Sequence, residues 1–283
     1  MTVAVGLGVA LAVALVLFAL DRLAERVARP AYRPFERTVP ELGIPHEDLR
    51  IPSGDHELAA WLLEPRHAQP SKPLLMVAHG WGANYSTVLR LAEPLAKSGH
   101  DVLLFDVRGH GRSEPVPYVT IRQFRDDVAA SARWAARRFP DRQLVLVGHS
   151  MGGAAGVLAA ADGSPIDGLV LIASPSDVLR VTAEFLTDQG RPGNFLVAIL
   201  TPFFWRRVGS TFRELTPSRR IGEVDIPLLI IQPELDRRVD RAHAERLSAA
   251  AGIPYHLVKG CEHTDVLASP ETLRLIEDFL EEV

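Results

Sequence analysis

Cysteine is almost absent from this chain, because Cys261 is the only one among 283 residues. A single cysteine excludes an internal disulfide and leaves no second thiolate for a metal or redox site. Cys261 lies two residues before His263, and we interpret it as a packing residue rather than a nucleophile. The sequence also lacks a P-loop, a dinucleotide-binding glycine pattern, internal repeats and a cluster of metal ligands. We therefore expect no cofactor and no metal.

Neither sign of charge dominates the composition. Thirty-one lysine and arginine residues stand against 35 aspartate and glutamate residues, which gives a formal net charge of −4. The basic residues form no stripe of the kind that binds nucleic acid, so we exclude a nucleic-acid partner. With 47% hydrophobic residues the chain has ample apolar side chains for a core, and its length fits one domain with an insertion.

The beginning of the chain contains no polar or charged side chain from Val3 to Leu20. As a helix this stretch would be about 27 Å long, close to the thickness of about 30 Å of a bilayer's hydrocarbon core. No basic residue precedes it, and five arginines follow it: Arg22, Arg26, Arg29, Arg33 and Arg37. By the positive-inside rule this asymmetry places the N-terminus outside and the rest of the chain in the cytoplasm. We predict a single-pass transmembrane anchor over residues 1–22, a tether over 23–45 and a folded domain over 46–283.

Two other interpretations of this apolar stretch stay open. A cleaved signal peptide would place the protein outside the cytoplasm, although it should have a basic n-region and a small-x-small cleavage site after a shorter apolar run. A helix buried inside a soluble protein is the second alternative.

A serine flanked by glycines interrupts an apolar run in the middle of the chain. The run Leu144–Val147 is typical of a buried strand, Gly148-His149-Ser150-Met151-Gly152 follows it, and small residues typical of a helix come next. In a nucleophile elbow the serine lies at the tip of a tight strand-to-helix turn, so glycines are needed two residues before and two after it. The amide of Met151, at the start of the helix, would favour a developing negative charge. We therefore predict that Ser150 is a nucleophile.

A serine hydroxyl is a weak nucleophile at neutral pH and needs a histidine base and a carboxylate that orients the base. His263 follows the final predicted strand and is our candidate for the base. Asp236 follows the strand-like run Pro227–Gln232 and is our candidate for the acid. Glu234 and Asp240 are close enough in sequence to take its place, and both stay open as alternatives.

An oxyanion hole needs a second backbone N–H besides that of Met151, from the loop after an early strand. The run Leu74–Ala78 ends in His79-Gly80-Trp81-Gly82, where Gly80 allows a tight turn. We predict the amide of Trp81 as the second donor and its ring as a wall of the pocket. His79 we interpret as a structural residue that fixes neighbouring loops.

These motifs together make the chain resemble the α/β-hydrolase superfamily, and within it the group of monoacylglycerol lipases and serine-aminopeptidase-like esterases. The matching segments occur in the order of that family: His79–Gly82, Phe105–Ser113, Gly148–Gly153, Asp236 with Val239, and His263. The resemblance implies a catalytic triad of Ser150, Asp236 and His263 and an oxyanion hole formed by the Trp81 and Met151 amides. It also implies that the charges of residues 106–113 fix a loop. The family often has Gly-x-x-Asp before the acid, whereas Pro233-Glu234-Leu235 precedes Asp236 here.

Strand-like and helix-like runs alternate along the chain. The predicted strands are Glu57–Leu63, Pro73–His79, Asp101–Val107, Gln143–Gly148, Gly168–Ser174, Pro227–Gln232 and Tyr255–Val258. The predicted helices include Tyr85–Lys97, Ile121–Phe139, Met151–Ala161, Ala242–Ala251 and Pro270–Leu280. This alternation favours a mostly parallel sheet covered by helices on both faces, as in the α/β-hydrolase fold, with ligands bound beyond the carboxyl ends of the strands.

The chain between the predicted strands that end at Ser174 and begin at Pro227 is too long for a simple crossover. We predict a helical cap insertion over about residues 175–220. Within it, Phe195–Trp205 is apolar on nearly all sides, which indicates a helix that either packs on the core or roofs an apolar pocket. A mobile apolar lid would favour substrates with an acyl group, and the glycines around Pro192 are candidates for its hinge.

The sequence thus predicts a membrane-anchored, carboxylesterase-like serine hydrolase that cleaves a small-molecule or lipid ester through an acyl-enzyme. Aminopeptidase, thioesterase, C–C hydrolase and perhydrolase activities stay open, because the same groups support all of them. A membrane-tethered binding protein that uses this fold without turnover is the alternative from another class, although an intact triad argues against it.

Overall fold

The computed structural model describes residues 2–69, 71–209 and 211–283. Met1, the first residue of the predicted anchor, and Ser210, within the predicted cap, lie outside the described residues. The centre of the structure is an eight-stranded sheet. Its strands are β1 His46–Ser53, β2 His56–Leu63, β3 Leu74–Ala78, β4 Val102–Phe105, β5 Leu144–His149, β6 Gly168–Ile172, β7 Leu228–Pro233 and β8 His256–Val258.

The strand order across the sheet is β1-β2-β4-β3-β5-β6-β7-β8. β1 pairs antiparallel with β2, and β2 pairs antiparallel with β4. All other neighbours are parallel, from β4 through β3 to β8. The carboxyl ends of the parallel strands therefore meet at one edge of the sheet, where ligands bind in folds of this kind.

Nine α-helices are found among the described residues. They are α1 Thr2–Val27, α2 Tyr85–Lys97, α3 Ile121–Arg138, α4 Met151–Ala161, α5 Val178–Asp188, α6 Gly193–Val208, α7 Pro217–Arg220, α8 Arg241–Ala251 and α9 Pro270–Leu280. Helices α3, α4 and α8 cover one face of the sheet, and α2 and α9 cover the other.

Strand β5 shows how the sequence builds this layered core. Successive side chains of a strand point to opposite faces, and β5 is buried along its whole length. Leu144 and Leu146 pack into the cluster beneath α3 and α4, whereas Val145 and Val147 pack into the cluster beneath α2 and α9. A continuous apolar run is therefore required here, instead of the alternating pattern of a strand with one wet face.

Strand β1 was not among the predicted strands. Its sequence, His-Glu-Asp-Leu-Arg-Ile-Pro-Ser, is mostly polar, and along it only Ile51 and Ser53 are buried. The strand lies at the edge of the sheet and forms a hairpin with β2 through a turn in which Gly54 adopts a φ of 61°. Because one side of an edge strand stays in solvent, it needs few apolar residues and gives a weak sequence signal.

The segment between β6 and β7 forms the cap, with α5 and α6 as its main elements. The apolar run Phe195–Trp205 lies within α6. Gly193 opens this helix against α5, where a Cβ atom would overlap the carbonyl of Ala183. Gly193 thus permits close packing of two cap helices, which is a different role from the hinge that the sequence suggested.

Helix α1 is long and apolar enough to cross a membrane, with a mean hydropathy of 2.2 over Val5–Val27. Its apolar side chains point away from the protein: Val5, Leu7, Val9, Leu11, Val13, Leu15, Val16, Leu17 and Phe18 are each more than half exposed. Only its last turns pack on the protein, where Ala24 and Ala28 contact Leu200 and Phe204 of α6. The helix continues to Val27, five residues past the predicted end of the anchor.

The segment after α1 lies against the hydrolase domain. The carbonyl of Ala28 accepts a hydrogen bond from the amide of Val119 at 2.8 Å, and the Asn84 side chain donates to the carbonyl of Arg33 at 2.8 Å. Ser86 Oγ accepts from the amide of Glu36 at 3.1 Å. The segment predicted as a tether therefore makes hydrogen bonds to the rest of the chain at Ala28, Arg33 and Glu36.

Candidate active site

Ser150 occupies the turn between β5 and α4 in a strained backbone conformation. Its φ of 54° and ψ of −122° lie in a region that residues with a side chain rarely adopt. The amide of Ser150 donates to the carbonyl of Ile172 at 2.8 Å, which ties the turn to the neighbouring strand β6. Backbone strain held in this way is typical of functional sites, and it matches the nucleophile elbow that the sequence predicts.

The glycines around Ser150 are required because a larger residue would clash with neighbouring atoms. A Cβ atom at Gly152 would lie 2.5 Å from the carbonyl oxygen of Ala78, and one at Gly148 would overlap the backbone of Gly153. A Cβ atom at Gly80 would lie 2.8 Å from the Cβ atom of Ser150. Since real Cβ atoms do not approach so closely, only glycine lets β3, the elbow and α4 come together here.

His263 and Asp236 form a hydrogen-bonded pair after the last two strands. The Nδ1 atom of His263 lies 2.8 Å from the Oδ2 atom of Asp236, and both side chains are buried. The other oxygen of Asp236 accepts from the amides of Arg238 and Val239, at 2.8 and 2.9 Å. The carboxylate is thereby held in one orientation, and it fixes the tautomer of His263 with its proton on Nδ1.

The two alternative acids are engaged elsewhere. A carboxylate oxygen of Glu234 accepts from the amide of Gly260 at 2.9 Å. Asp240 caps α8 by accepting from the amide of Ala242 at 2.8 Å. Of the three candidates, the structure brings only Asp236 to His263.

Ser150, Met151, Trp81 and His263 all line one cavity of about 980 Å³. Among the described residues, Ser150 Oγ has no direct hydrogen bond to His263. Such contacts are often long in a free enzyme and shorten when substrate binds.

Among the described residues, the amides of Trp81 and Met151 donate no hydrogen bond to another part of the chain. Met151 begins α4, and the first amides of a helix have no partner within it. Trp81 follows the end of β3, and no hydrogen bond from its amide is found in the described part of the chain. Both residues border the cavity beside Ser150, as an oxyanion hole requires.

His149 is a further residue of the site that the sequence analysis did not assign. Its Nε2 atom lies 2.8 Å from the backbone carbonyl of His263, and the two rings lie 4.7 Å apart. Burial lowers the pKa of His149 well below its usual range, so the ring is neutral and donates from Nε2. Its position immediately before Ser150 was the one feature of the sequence that could have indicated a role of His149 in the site.

Two buried histidines and one aspartate hold the loops beneath Trp81. His79 accepts from the amide of Val107 at 3.2 Å and contacts the carbonyl of Gly80 at 2.8 Å, in agreement with the structural role expected for it. His110 accepts from the amide of Gly82 at 3.1 Å. Burial lowers the pKa of His79 to about 3 and that of His110 to about 4, so both are neutral at pH 7.

Asp106 completes this framework. Its two carboxylate oxygens accept from the amides of Tyr85 and Arg112, at 2.7 and 2.8 Å. Burial raises its pKa to about 6, and these backbone donors counteract that shift. Arg108 in the same loop pairs with buried Asp127. The charges of this loop therefore make internal bonds, as the sequence analysis expected.

The walls of the cavity come from three parts of the chain. The cap contributes an apolar face that includes Leu196, Leu200 and Phe204. The end of α1 contributes Leu23 and Val27, which sequence reasoning did not connect with the site. The sheet edge contributes the candidate catalytic groups.

Comparison with known proteins agrees with this architecture. The family model described as alpha/beta hydrolase fold matches residues 73–199. The lysophosphatidylserine lipase ABHD12 of Danio rerio is 26% identical over 235 residues, which cover 75% of this chain and 59% of that protein. The monoglyceride lipase of Mus musculus is 37% identical over 115 residues, which cover 38% of this chain and 37% of that protein. The matches thus span less than two thirds of the length of either relative.

Solved structures share the fold at low sequence identity. The esterase Pf2001 of Pyrococcus furiosus superposes with a TM-score of 0.70 at 20% identity, covering 90% of this chain and 97% of that one. Sheet order, elbow and family model thus define an α/β-hydrolase fold. The chain is thus similar to proteins of the α/β-hydrolase superfamily, among them two lipases.

Proposed function

We propose that this protein is a serine hydrolase that cleaves carboxylic esters through an acyl-enzyme. The observation that carries the proposal is the arrangement at one cavity: Ser150 at a strained elbow, the His263–Asp236 pair, and the amides of Trp81 and Met151. These groups supply the nucleophile, base, orienting acid and oxyanion donors that acyl transfer requires.

The reaction proceeds in two halves. Ser150 Oγ attacks the ester carbonyl while His263 Nε2 takes its proton, and the two amides stabilise the tetrahedral oxyanion. The bond from carbon to the leaving oxygen then breaks, and the alcohol leaves with the proton from His263. Water attacks the acyl-enzyme by the same route in reverse, releasing the acid and restoring Ser150. Asp236 keeps its charge throughout and stabilises the imidazolium.

The lining of the cavity favours an ester over a peptide. An aminopeptidase has to bind the protonated amino group of its substrate, for which carboxylates are the fitting partners. Among the described residues that line the cavity there is no aspartate or glutamate, and apolar side chains predominate. An acyl chain fits such walls. Two of the similar proteins, the lipases of Danio rerio and Mus musculus, also favour an ester substrate.

Fluorophosphonate labelling and ester hydrolysis test this proposal together. The protein should hydrolyse p-nitrophenyl acyl esters and be labelled at one serine. Ser150→Ala should lose both properties and keep its melting temperature, because the change removes only a hydroxyl at a turn. A folded wild-type protein that is neither labelled nor active on esters would support the binding-protein alternative. Faster hydrolysis of matched thioesters would instead assign a thioesterase.

We further propose that α1 anchors the protein in a membrane with the hydrolase domain on the cytoplasmic side. The exposed apolar side chains of α1 support insertion, and the arginines after Leu20 support this orientation. A reporter fused to the C-terminus should be protected from external protease in intact cells. A mature N-terminus near Asp21 in an extracytoplasmic fraction would establish a cleaved signal peptide and reverse the compartment.

A further inference from the structure

Three arginines from separate elements border the active-site cavity. Arg26 lies on α1, Arg191 lies in the loop between α5 and α6, and Arg238 lies in the loop after β7. In the described part of the chain none of the three has an ion pair or a side-chain hydrogen bond. A fourth arginine of the lining, Arg29, is paired with Glu25 and the carbonyl of Pro117.

These three arginines are distinguished by their place around one cavity. Some arginines elsewhere pair with acids, as Arg125 and Arg220 pair with Asp162, whereas others, such as Arg137, have no ion pair in the described structure. Around the cavity, the described lining residues include four arginines and no acidic residue. Field lines from like charges concentrate in a cleft with apolar walls, so an anion is attracted to its mouth.

Arg238 lies closest to the chemistry along the chain. Its amide holds the catalytic-acid candidate Asp236, and the next residue, Val239, also borders the cavity. The side chain of Arg238 is exposed, so it remains hydrated and able to bind an anion of the substrate near the reacting ester. Arg26 and Arg191 reach the same cavity from α1 and the cap.

The position of α1 indicates that the substrate comes from a membrane. Its apolar stretch ends at Leu20, and its next turns line the cavity through Leu23, Arg26 and Val27. If α1 is anchored as proposed, the mouth of the cavity lies at the bilayer surface, where a lipid holds its headgroup. The acyl chain of such a lipid would meet apolar walls, and its headgroup would meet the arginines.

We infer that the substrate is an ester amphiphile with one acyl part and an anionic group near the ester, which Arg26, Arg191 and Arg238 bind. This inference rests on the proposed ester hydrolysis. Phosphate and carboxylate share the chemistry that a guanidinium recognises, and the test separates them.

The test compares three oleoyl esters with the full-length protein in uncharged detergent micelles, where the substrate is the only anionic amphiphile. The three are neutral monooleoylglycerol, the same ester with a phosphate on the glycerol, and the same ester with a succinate on the glycerol. We expect kcat/KM for at least one anionic ester to exceed that for the neutral ester about tenfold or more, as one charge-assisted contact allows. The better of the two identifies the headgroup.

The variants Arg26→Gln, Arg191→Gln and Arg238→Gln should each lower the ratio of kcat/KM for the preferred anionic ester to kcat/KM for the neutral ester by about threefold or more. Arg137→Gln is the matched control, since Arg137 is exposed without an ion-pair partner in the described structure and lies about 24 Å along α3 from the cavity residue Ile121. Added salt should reduce the preference of the wild type and of the control alike.

Equal rates on all three esters, or equal losses on neutral and anionic esters in the variants, would overturn the inference. Ester hydrolysis with serine labelling would then still support the proposed function. A wild-type protein that the fluorophosphonate does not label would count against the proposed function itself. Failure of the substrate inference and failure of the proposed function are therefore distinguishable.

Discussion

His149 contacts the base of the proposed triad through the main chain. It places its ring against His263 and donates to the carbonyl of that residue, while its own Nδ1 atom is buried and has no hydrogen-bond partner among the described residues. A buried unpartnered nitrogen is costly. We therefore expect the bond from Nε2 to the carbonyl of His263 to help fix the position of that residue, the proposed base.

His149→Leu should lower kcat roughly 10- to 100-fold with little change in KM. Displacement of a catalytic group by about 1 Å lowers the rate of the chemical step by a factor of that order. His149→Gln, which can still donate to the carbonyl of His263, should recover most of the loss. Rates of fluorophosphonate labelling and steady-state kinetics measure the loss in His149→Leu and the recovery in His149→Gln. Equal losses in the two variants, together with equally lowered melting temperatures, would show that the ring is only a packing element.

Asp236→Asn should lower kcat by about four orders of magnitude, because an amide presents the wrong hydrogen-bonding pattern to His263. Glu234→Gln and Asp240→Asn are the controls. Their carboxylates bind Gly260 and cap α8, so their turnover should stay near that of the wild type and any loss should appear in thermal stability. Near-normal turnover of Asp236→Asn would move the acid role to one of these two.

At the scale of single elements, α6 shows which face of an apolar helix meets the cavity. The sequence shows this helix to be apolar nearly all round, and from it we expect Phe203 or Trp205 to shape an acyl pocket if the helix roofs one; neither lines the cavity. In the structure Leu200 and Phe204 point into the cavity, whereas Phe195 is 63% exposed and Trp205 is 53% exposed. Phe203 packs with Tyr118 and the last turns of α1.

Leu200→Trp should shorten the acyl chain that the enzyme prefers, because a larger side chain fills the cavity without touching the catalytic groups. Initial rates on p-nitrophenyl esters of increasing length in micelles measure the preference. Phe195→Ala changes an exposed side chain of the same helix and should leave the length profile unaltered. A uniform loss for every length in Leu200→Trp, with a lowered melting temperature, would show that overpacking and not cavity shape was measured.

The sequence predicted the elements whose signals are local. Buried parallel strands such as β5 are continuous apolar runs, and the elbow at Ser150 needs glycines at fixed positions, so both could be located from the residues alone. The resemblance added the order of the site residues. Strand β1 was missed because its edge position requires few apolar residues. The cavity wall from α1 was missed because it depends on long-range packing against α6, which no local pattern encodes.

For the whole molecule, acid should destabilise the fold through its buried histidines. His79, His110 and His149 have pKa values lowered below the unfolded value, so near pH 5 unfolding takes up about three protons. Asp106 opposes this effect, because its pKa is raised to about 6 and unfolding releases its proton in that range. The uptake by the three histidines exceeds the release by Asp106, so the free energy of unfolding falls as the pH is lowered from 7 towards 5.

His110→Asn should reduce this acid sensitivity, since it removes one of the three titrating histidines. The variant should melt at a lower temperature than the wild type at pH 7.5, because Gly82 loses its hydrogen-bond acceptor. The difference in melting temperature should narrow between pH 7 and pH 5. Thermal unfolding of both proteins in uncharged detergent measures this difference in melting temperature. A difference that stays constant with pH would contradict the assignment of a neutral buried His110.

Helix α1 connects the proposed membrane anchor to the candidate active site, because its last turns pack on the cap. Asp21 accepts from Arg206 and Arg207 at 2.6 Å each, and Ala24 and Ala28 are buried against α6. A chain beginning at Asp21 would therefore retain this docking, whereas one beginning at Pro30 would lose it together with a wall of the cavity.

Full-length protein should stay in the membrane pellet through high-salt and alkaline washes, because the bilayer holds an apolar helix independently of screened charges. The chain beginning at Asp21 should be released and keep the acyl-length profile of the full protein. The chain beginning at Pro30 should still be labelled at Ser150, since the triad and both oxyanion donors lie beyond it, but it should lose its selectivity for long acyl esters. Identical profiles for the two shortened chains would show that α1 serves only as an anchor and contributes nothing to substrate binding.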